Sequence, residues 1–218
     1  MHFDLPTPEK LPSTILELEF QSSIDRILQS FRNMDISSHH RAGITTKSPT
    51  LNSLAITEWD KEALIVILTR LSSRSLPHDS LLPTVLRERI FEYIMINFRE
   101  HMDLIVAWLT EEWYNDAVSS STSGGIYEKW SLRIFDNILP FIEAKDSRIF
   151  LRFLGDLPLV TNAHVTKLKA LCLDPERQKL GFAAIKYLLL LRPPTRNAAI
   201  ELCVDLFRNR NIPLFNHG

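Results

Sequence analysis

The sequence predicts an all-α fold of about eight or nine helices, stacked as antiparallel pairs. Three observations carry that expectation. Apolar residues recur at i, i+3, i+4 and i+7 in one segment after another. Glycine is scarce, with 6 in 218 residues, and β-branched alternation is hard to find, so the turns and strands of a large sheet lack material. Proline and Ser-rich breaks separate the periodic segments. With 45% hydrophobic and 23% charged residues, the chain can bury the core of one ordinary globular domain.

Residues 1–12 read as an N-terminal tail. Ser13 or Thr14 can cap a first helix, 13–33, whose Ile24, Ile27, Leu28 and Phe31 share one face. Residues 34–57 are polar and aperiodic, which predicts a disordered linker. Residues 58–218 then form the helical repeat region. Thr57, with Glu58 and Asp60 in the first turn, opens a helix carrying Leu64, Ile67, Leu68 and Leu71 inward, stopped by Pro77. Leu82 and Pro83 start the next, with Leu86, Ile90, Tyr93, Ile94 and Phe98 on its inner face. A fourth, from Met102 to Ala117, holds Ile105, Trp108, Leu109 and Trp113, and the Ser- and Gly-rich stretch 118–126 after it predicts a flexible loop.

Tyr127 to Leu139 forms a helix stopped by Pro140, and Phe150 to Leu154 a short one. Thr161 caps a helix with Val165, Leu168 and Leu171 inward, and Asp174-Pro175 has the cap and first-turn arrangement that opens another, with Leu180, Ala184, Ile185, Leu188 and Leu189 inward. Arg192-Pro193-Pro194-Thr195 breaks that helix and starts the last one, predicted to bury Ile200, Cys203, Val204 and Phe207. Starts near Thr161, Pro175 and Pro194 give an antiparallel pair in about 35 to 40 residues, the size of a HEAT or armadillo unit. The expected architecture is therefore a HEAT/armadillo-like helical repeat.

Charge is uneven. Lys plus Arg is 25 and Asp plus Glu 26, for a net charge of −1. Residues 147–218 carry 11 basic and 5 acidic side chains, so an acidic partner or polyanion is expected to meet this C-terminal third. Candidate contact residues there are Lys167, Lys169, Lys179, Lys186 and Arg196. No aromatic stacking motif interleaves with them, which leaves RNA contact through a backbone-tracking basic groove as the alternative reading. Tyr114 lies off the apolar stripe of its helix and joins the candidate contacts, whereas Trp108 and Trp113 read as core.

The chemical motifs of catalysis are missing: no glycine-rich phosphate loop, Cys-x-x-Cys, His-Glu-x-x-His or Gly-x-Ser-x-Gly occurs. His39-His40 lacks carboxylate or Cys partners at ligand spacing and reads as solvated loop. Glu111, Glu112 and Asp116 could suggest acid–base chemistry, yet helix neighbours point about 100° apart, and a solvated acidic edge is the simpler reading. Cys172 and Cys203 sit among helical apolar residues as reduced core thiols. No cofactor, metal, membrane partner or small-molecule substrate is expected. Asp174, Arg177 and Arg192 are assigned to structural pairing, Arg177 because a cation in a first helical turn opposes the dipole and needs an acid such as Asp174.

The ordered run Phe150-Leu151-Arg152-Phe153-Leu154, Leu157-Pro158-Leu159-Val160-Thr161, Leu171-Cys172, Asp174-Pro175-Glu176-Arg177, Leu180-Gly181-Phe182 and Arg192-Pro193-Pro194-Thr195-Arg196 resembles the symplekin family. Val106-Ala107-Trp108-Leu109-Thr110-Glu111-Glu112-Trp113-Tyr114 also looks like its fungal members. These proteins are scaffolds of the nuclear machinery for pre-mRNA cleavage and polyadenylation. The resemblance implies a non-catalytic, nuclear protein-interaction segment leading into the family's C-terminal conserved part. The partners it implies are the nuclease subunit of the cleavage complex and its inactive paralogue, not the phosphatase bound by the family's N-terminal HEAT domain. Because family members continue with further helices, the chain is expected to be either a fragment of a longer protein or a short gene product.

Overall fold

The computed structural model describes residues 12–43, 51–74, 82–119 and 125–208. All regular structure among these residues is helical. The helices are α1 (Ser13–Gly43), α2 (Leu51–Ser73), α3 (Leu82–Ile96), α4 (Met102–Ser119), α5 (Ile126–Ile138), α6 (Ser147–Asp156), α7 (Asn162–Lys167), α8 (Lys169–Leu173), α9 (Gln178–Leu191) and α10 (Arg196–Arg208). Short 3-10 turns at Leu139–Phe141, Ala144–Asp146 and Pro193–Thr195 join some of them. The chain divides into two compact units, residues 1–90 and 91–218, with the boundary inside α3.

In the first unit α1 packs on α2, and Ile24, Leu28, Phe31, Leu68, Leu86 and Ile90 form the core. Two expectations need correction. Helix α1 runs on through residue 43 and α2 begins at residue 51, so most of the expected linker 34–57 is helical. No proline or glycine occurs from Ser13 to Ala42, and weak propensity alone does not stop a helix once it is propagating. Residues 44–50 lie outside the described residues, as do the side chains of His39 and His40, whose backbone belongs to α1. The inner face of α2 also differs: Leu68 is buried with Thr69, Ser72 and Ser73, while Ile67 and Leu71 are exposed. The hydroxyls tolerate burial because each donates to a carbonyl of its own helix, Thr69 to Ile65 at 2.8 Å, Ser72 to Thr69 at 2.7 Å and Ser73 to Thr69 at 3.0 Å.

The second unit has a two-row plan. Helix α4 packs on α5, α8 on α9, and α9 on α10. Alternate helices also meet, α4 with α6 and α6 with α9 in one row, α5 with α7 and α7 with α10 in the other. Large aromatics fill the space at the α4–α5 end. Trp108 and Trp130 lie 5.2 Å apart between ring centres, and Phe91 lies 5.9 Å from Trp130. Further along, Phe135 meets Phe153 at 5.6 Å and Phe150 at 6.1 Å, tilted arrangements that favour the ring quadrupoles. Close approach at the α8–α9 contact depends on Gly181, where a Cβ would stand 2.7 Å from both the backbone nitrogen and Sγ of Cys172.

Four local expectations change here. The segment expected to open a helix at Asp174-Pro175 is a turn, and α9 starts only at Gln178. The helix capped by Thr161 is interrupted at Leu168, whose N–H donates to Val165 rather than to the residue four back. Most consequentially, α10 buries Ala199, Leu202 and Leu206 and leaves Ile200, Val204 and Phe207 exposed. Both sets have helical spacing, so periodicity alone does not choose between them. The expected flexible loop 118–126 is helical at its start, through Ser119, and α5 begins at Ile126; residues 120–124 lie outside the described residues.

Candidate interaction surface

Arginines tie the helix ends of the second unit together. Arg177 donates from Nε to Asp174 at 2.6 Å and from Nη1 to the carbonyls of Leu139 at 2.8 Å and Pro140 at 3.2 Å. The turn before α9 is thereby fixed to the end of α5. Asp174 also accepts the N–H of Glu176 at 3.0 Å, and these bonds, Arg177 first, hold its carboxyl below the usual range. Arg192 bonds the carbonyls of Gly155 at 3.0 Å and Leu157 at 2.5 Å, fixing the end of α9 to the end of α6. Carbonyls that leave a helix without an intrahelical donor thus receive a charged one.

A third arginine lay outside the sequence reading. Arg99 grips Asp146 through Nε at 2.9 Å and Nη2 at 2.7 Å, and Nη2 also reaches the carbonyl of Phe141 at 2.8 Å. Asp146 is buried and further accepts the N–H of Glu143 at 3.0 Å; the Arg99 bond lowers its pKa. Forty-seven residues separate the partners, and nothing local in the sequence points from one to the other.

The candidate contact residues fall into two groups. Lys167 pairs with Asp136 at 2.5 Å and Lys169 with Asp205 at 2.5 Å. These pairs join α7 to α5 and α8 to α10, along one row, so both ammonium groups are engaged within the unit. Lys179 and Lys186 are exposed on α9 without an ion-pair partner among the described residues. Arg196 is exposed at the start of α10 and donates through Nε to the carbonyl of Leu189 at 3.1 Å. Tyr114 is 51% exposed on α4. Lys179 and Lys186 thus lie on α9 and Arg196 at the start of α10, with Tyr114 on another helix. An open groove of about 450 Å³ lies between α5 and α7–α8, floored by Leu139, Pro140, Ala170 and Leu171 and edged by Lys167 and Arg177.

The residues singled out for chemistry have structural work. Glu112, expected on a solvated edge, is fully buried and accepts from Trp108 Nε1 at 2.9 Å. It occupies the i+7 position of the stripe begun by Ile105, which leaves Trp113 one position past the seam and exposed. Asp116 accepts the N–H of Tyr127 at 2.8 Å, serving an orphan donor in the first turn of α5. Burial raises the Cys172 thiol to about 12, and Cys203 is shifted up by the same cause.

His164 was missed altogether. It is fully buried at the third position of α7, in the Thr161 capping box. Its Nδ1 accepts the N–H of Thr161 at 3.2 Å, so the proton sits on Nε2, which donates to Ser131 Oγ at 3.0 Å. Ser131 passes the chain on to the carbonyl of Glu128 at 3.1 Å. Burial first, then the nearby Lys167 charge, lowers the His164 pKa to about 4. The available signal was the spacing Thr-x-x-His, which places an acceptor where a capping box needs one.

Among the described residues no group of three or more His, Cys, Asp or Glu side chains could hold a metal ion, and no helix is long and apolar enough to cross a membrane. What the arrangement offers is helix faces held rigid by arginine ties.

No family model matches the chain, and no solved structure matches it. It is similar to the mRNA cleavage and polyadenylation specificity factor complex subunit pta1 of Schizosaccharomyces pombe (strain 972 / ATCC 24843), at 36% identity over 218 aligned residues. The similarity takes in 87% of this chain but only 32% of pta1, so the chain spans about a third of that relative's length. Together with the ordered block from Phe150 to Arg196, this similarity supports the symplekin family for the chain.

Proposed function

We propose that the chain is a non-catalytic scaffold segment of the nuclear machinery that cleaves and polyadenylates mRNA 3′ ends. The observation that carries this is the 36% identity to a cleavage and polyadenylation complex subunit across 87% of the chain. Physics supports the role. Two rows of short helices, each row in contact along its length, suit a HEAT-type repeat, an architecture whose outer faces can bind extended partners without a reacting group. The partners we infer are the nuclease subunit of the complex and its inactive paralogue. Of the candidate basic side chains, Lys179, Lys186 and Arg196 are the ones left to an acidic partner, because Lys167 and Lys169 are spent on Asp136 and Asp205. RNA is the second candidate for the same residues.

Affinity purification of the tagged full-length gene product from nuclear extract, with and without ribonuclease, tests the reading. Recovery of the nuclease subunit and its paralogue after ribonuclease treatment is the expected result. Recovery of neither overturns it, and loss of all companions on ribonuclease treatment would transfer the function to RNA contact.

A further inference from the structure

Helix α4 carries two stripes. Ile105, Trp108, Leu109 and Glu112 face the core at i, i+3, i+4 and i+7, with Glu112 satisfied by Trp108. Across the last two turns, Thr110, Trp113, Tyr114, Ala117 and Val118 repeat the same spacing on the solvent side. All five are exposed and none is charged; Trp113 is 39% exposed, Tyr114 51% and Val118 63%. Scattered apolar side chains are ordinary on a surface, but a contiguous uncharged stripe with Trp and Tyr in it has the composition of an interface core. The contacts of α4 with α5 and α6 leave it uncovered.

The charges around the stripe say what suits it. Between Arg99 and Lys129 no Lys or Arg occurs, whereas Glu100, Asp103, Glu111, Glu112, Asp116 and Glu128 do. Asp103, at the far end of α4, is offset by Arg152 of α6. The near end is different. Asp116 accepts the backbone N–H of Tyr127 at 2.8 Å, which brings it beside Glu128 in the first turn of α5, and neither carboxylate has a cationic partner among the described residues. The last carbonyls of α4 add the negative end of a helix dipole at the same place. This field repels a nucleic-acid backbone and attracts Lys or Arg, and a guanidinium gains further by stacking on Trp or Tyr rings.

We propose that the stripe of α4 from Thr110 to Val118 docks a basic amphipathic helix of a partner protein, apolar along the stripe and carrying Arg or Lys where it passes Asp116 and Glu128. The proposal rests on the scaffold reading and gives the scaffold a surface opposite in sign to Lys179 and Lys186 of α9. A helix seated in this way is recognised by anchors at helical spacing.

The test uses the full chain and two fluorescent helical peptides of about 18 residues, alike in a Leu stripe at i, i+3, i+4 and i+7, one flanked by Arg and the other by Glu. Anisotropy is expected to show the Arg-flanked peptide binding about tenfold more tightly than its Glu-flanked twin. Its affinity should fall by about tenfold or more in Y114S/V118S. In D116N/E128Q, where Asn keeps an acceptor for the Tyr127 amide, the preference for Arg should shrink to about threefold or less. Unchanged thermal melting checks that both variants fold. Equal affinity for Y114S/V118S and the unaltered chain overturns the proposal, as does a preference for the Glu-flanked peptide. So does self-association in sedimentation that Y114S/V118S abolishes, which would assign the stripe to a second copy, or protection of Trp113 and Tyr114 from hydroxyl-radical footprinting in the peptide-free monomer, which would mean that another part of the chain covers it. A chain that enters the processing complex yet ignores both peptides overturns the docking proposal alone; one that binds the Arg-flanked peptide as expected but recovers no complex subunit upholds the docking and removes the scaffold reading.

Discussion

Lowering the pH should loosen the second unit through one buried imidazole. His164 has an ordinary pKa of 6.5 and a folded value of about 4, lowered first by burial and then by Lys167. Between those values the unfolded chain binds a proton at this site that the folded chain refuses, so stability falls as pH falls. The contribution is complete above pH 6.5, declines through the interval and is gone below about pH 4. At about 1.4 kcal/mol per pH unit, the gap corresponds to about 3 kcal/mol, a large fraction of a domain's usual margin. The structural cause is specific: protonating Nδ1 removes the acceptor for the Thr161 N–H. Urea unfolding between pH 8 and pH 4.5, followed by tryptophan fluorescence, reads the effect, since Trp108 and Trp130 lie in the core of the same unit. His164→Asn keeps a short acceptor for the Thr161 amide but cannot titrate. It should be less stable at pH 8, by about 1–3 kcal/mol from lost packing and the lost Ser131 bond, and its pH dependence should be flatter than the parent's. Parallel curves for the two proteins, or a His164 pKa of 6 or above by NMR titration, would refute the reasoning.

Three further outcomes follow from the packing. Gly181→Ala sets a methyl against backbone at 2.7 Å on the α8–α9 contact and should cost about 1–3 kcal/mol in urea melts; an unchanged midpoint would mean the helices separate freely. Asp146→Ala deletes the acceptor of two Arg99 bonds and the Glu143 amide and should cost about 1–3 kcal/mol, whereas Asp103→Ala, at an exposed pair with Arg152, should change stability by about 0.5 kcal/mol or less; similar losses at both sites would contradict the contrast. Native-state labelling at pH 8 should modify half-buried Cys203 well before Cys172, whose thiol is buried and raised to about 12; equal rates would place Cys172 within reach of solvent.

Helical periodicity, scarce glycine and proline breaks made the all-α class and most helix starts legible. Trp108, Leu180, Ala184, Ile185 and Leu188 face inward as their spacing predicts. Helix α10 shows why the rule has limits: a helix at the end of a row carries two apolar flanks, and spacing alone picked the outer one. Polar groups deceived for a related reason. Glu112 and Ser72 are buried in helices because Trp108 Nε1 and the Thr69 carbonyl satisfy them, and those partners are chosen by three-dimensional placement and by the local turn. Long-range ties such as Arg99 to Asp146 have no local signature at all, whereas Arg177 to Asp174 lies within one turn and was visible as a cation needing an acid. The surface residues divided similarly, since only the fold reveals that Lys167 and Lys169 already have carboxylates while Lys179 and Lys186 face solvent.

The scaffold account is tested most directly by removing the chain and asking what still holds together. Nuclear extract depleted of it should lose cleavage of a model pre-mRNA, and the nuclease subunit and its paralogue should sediment apart from the remaining complex until the full-length chain is added back. A complex that keeps its sedimentation and its cleavage activity after complete depletion would contradict the account.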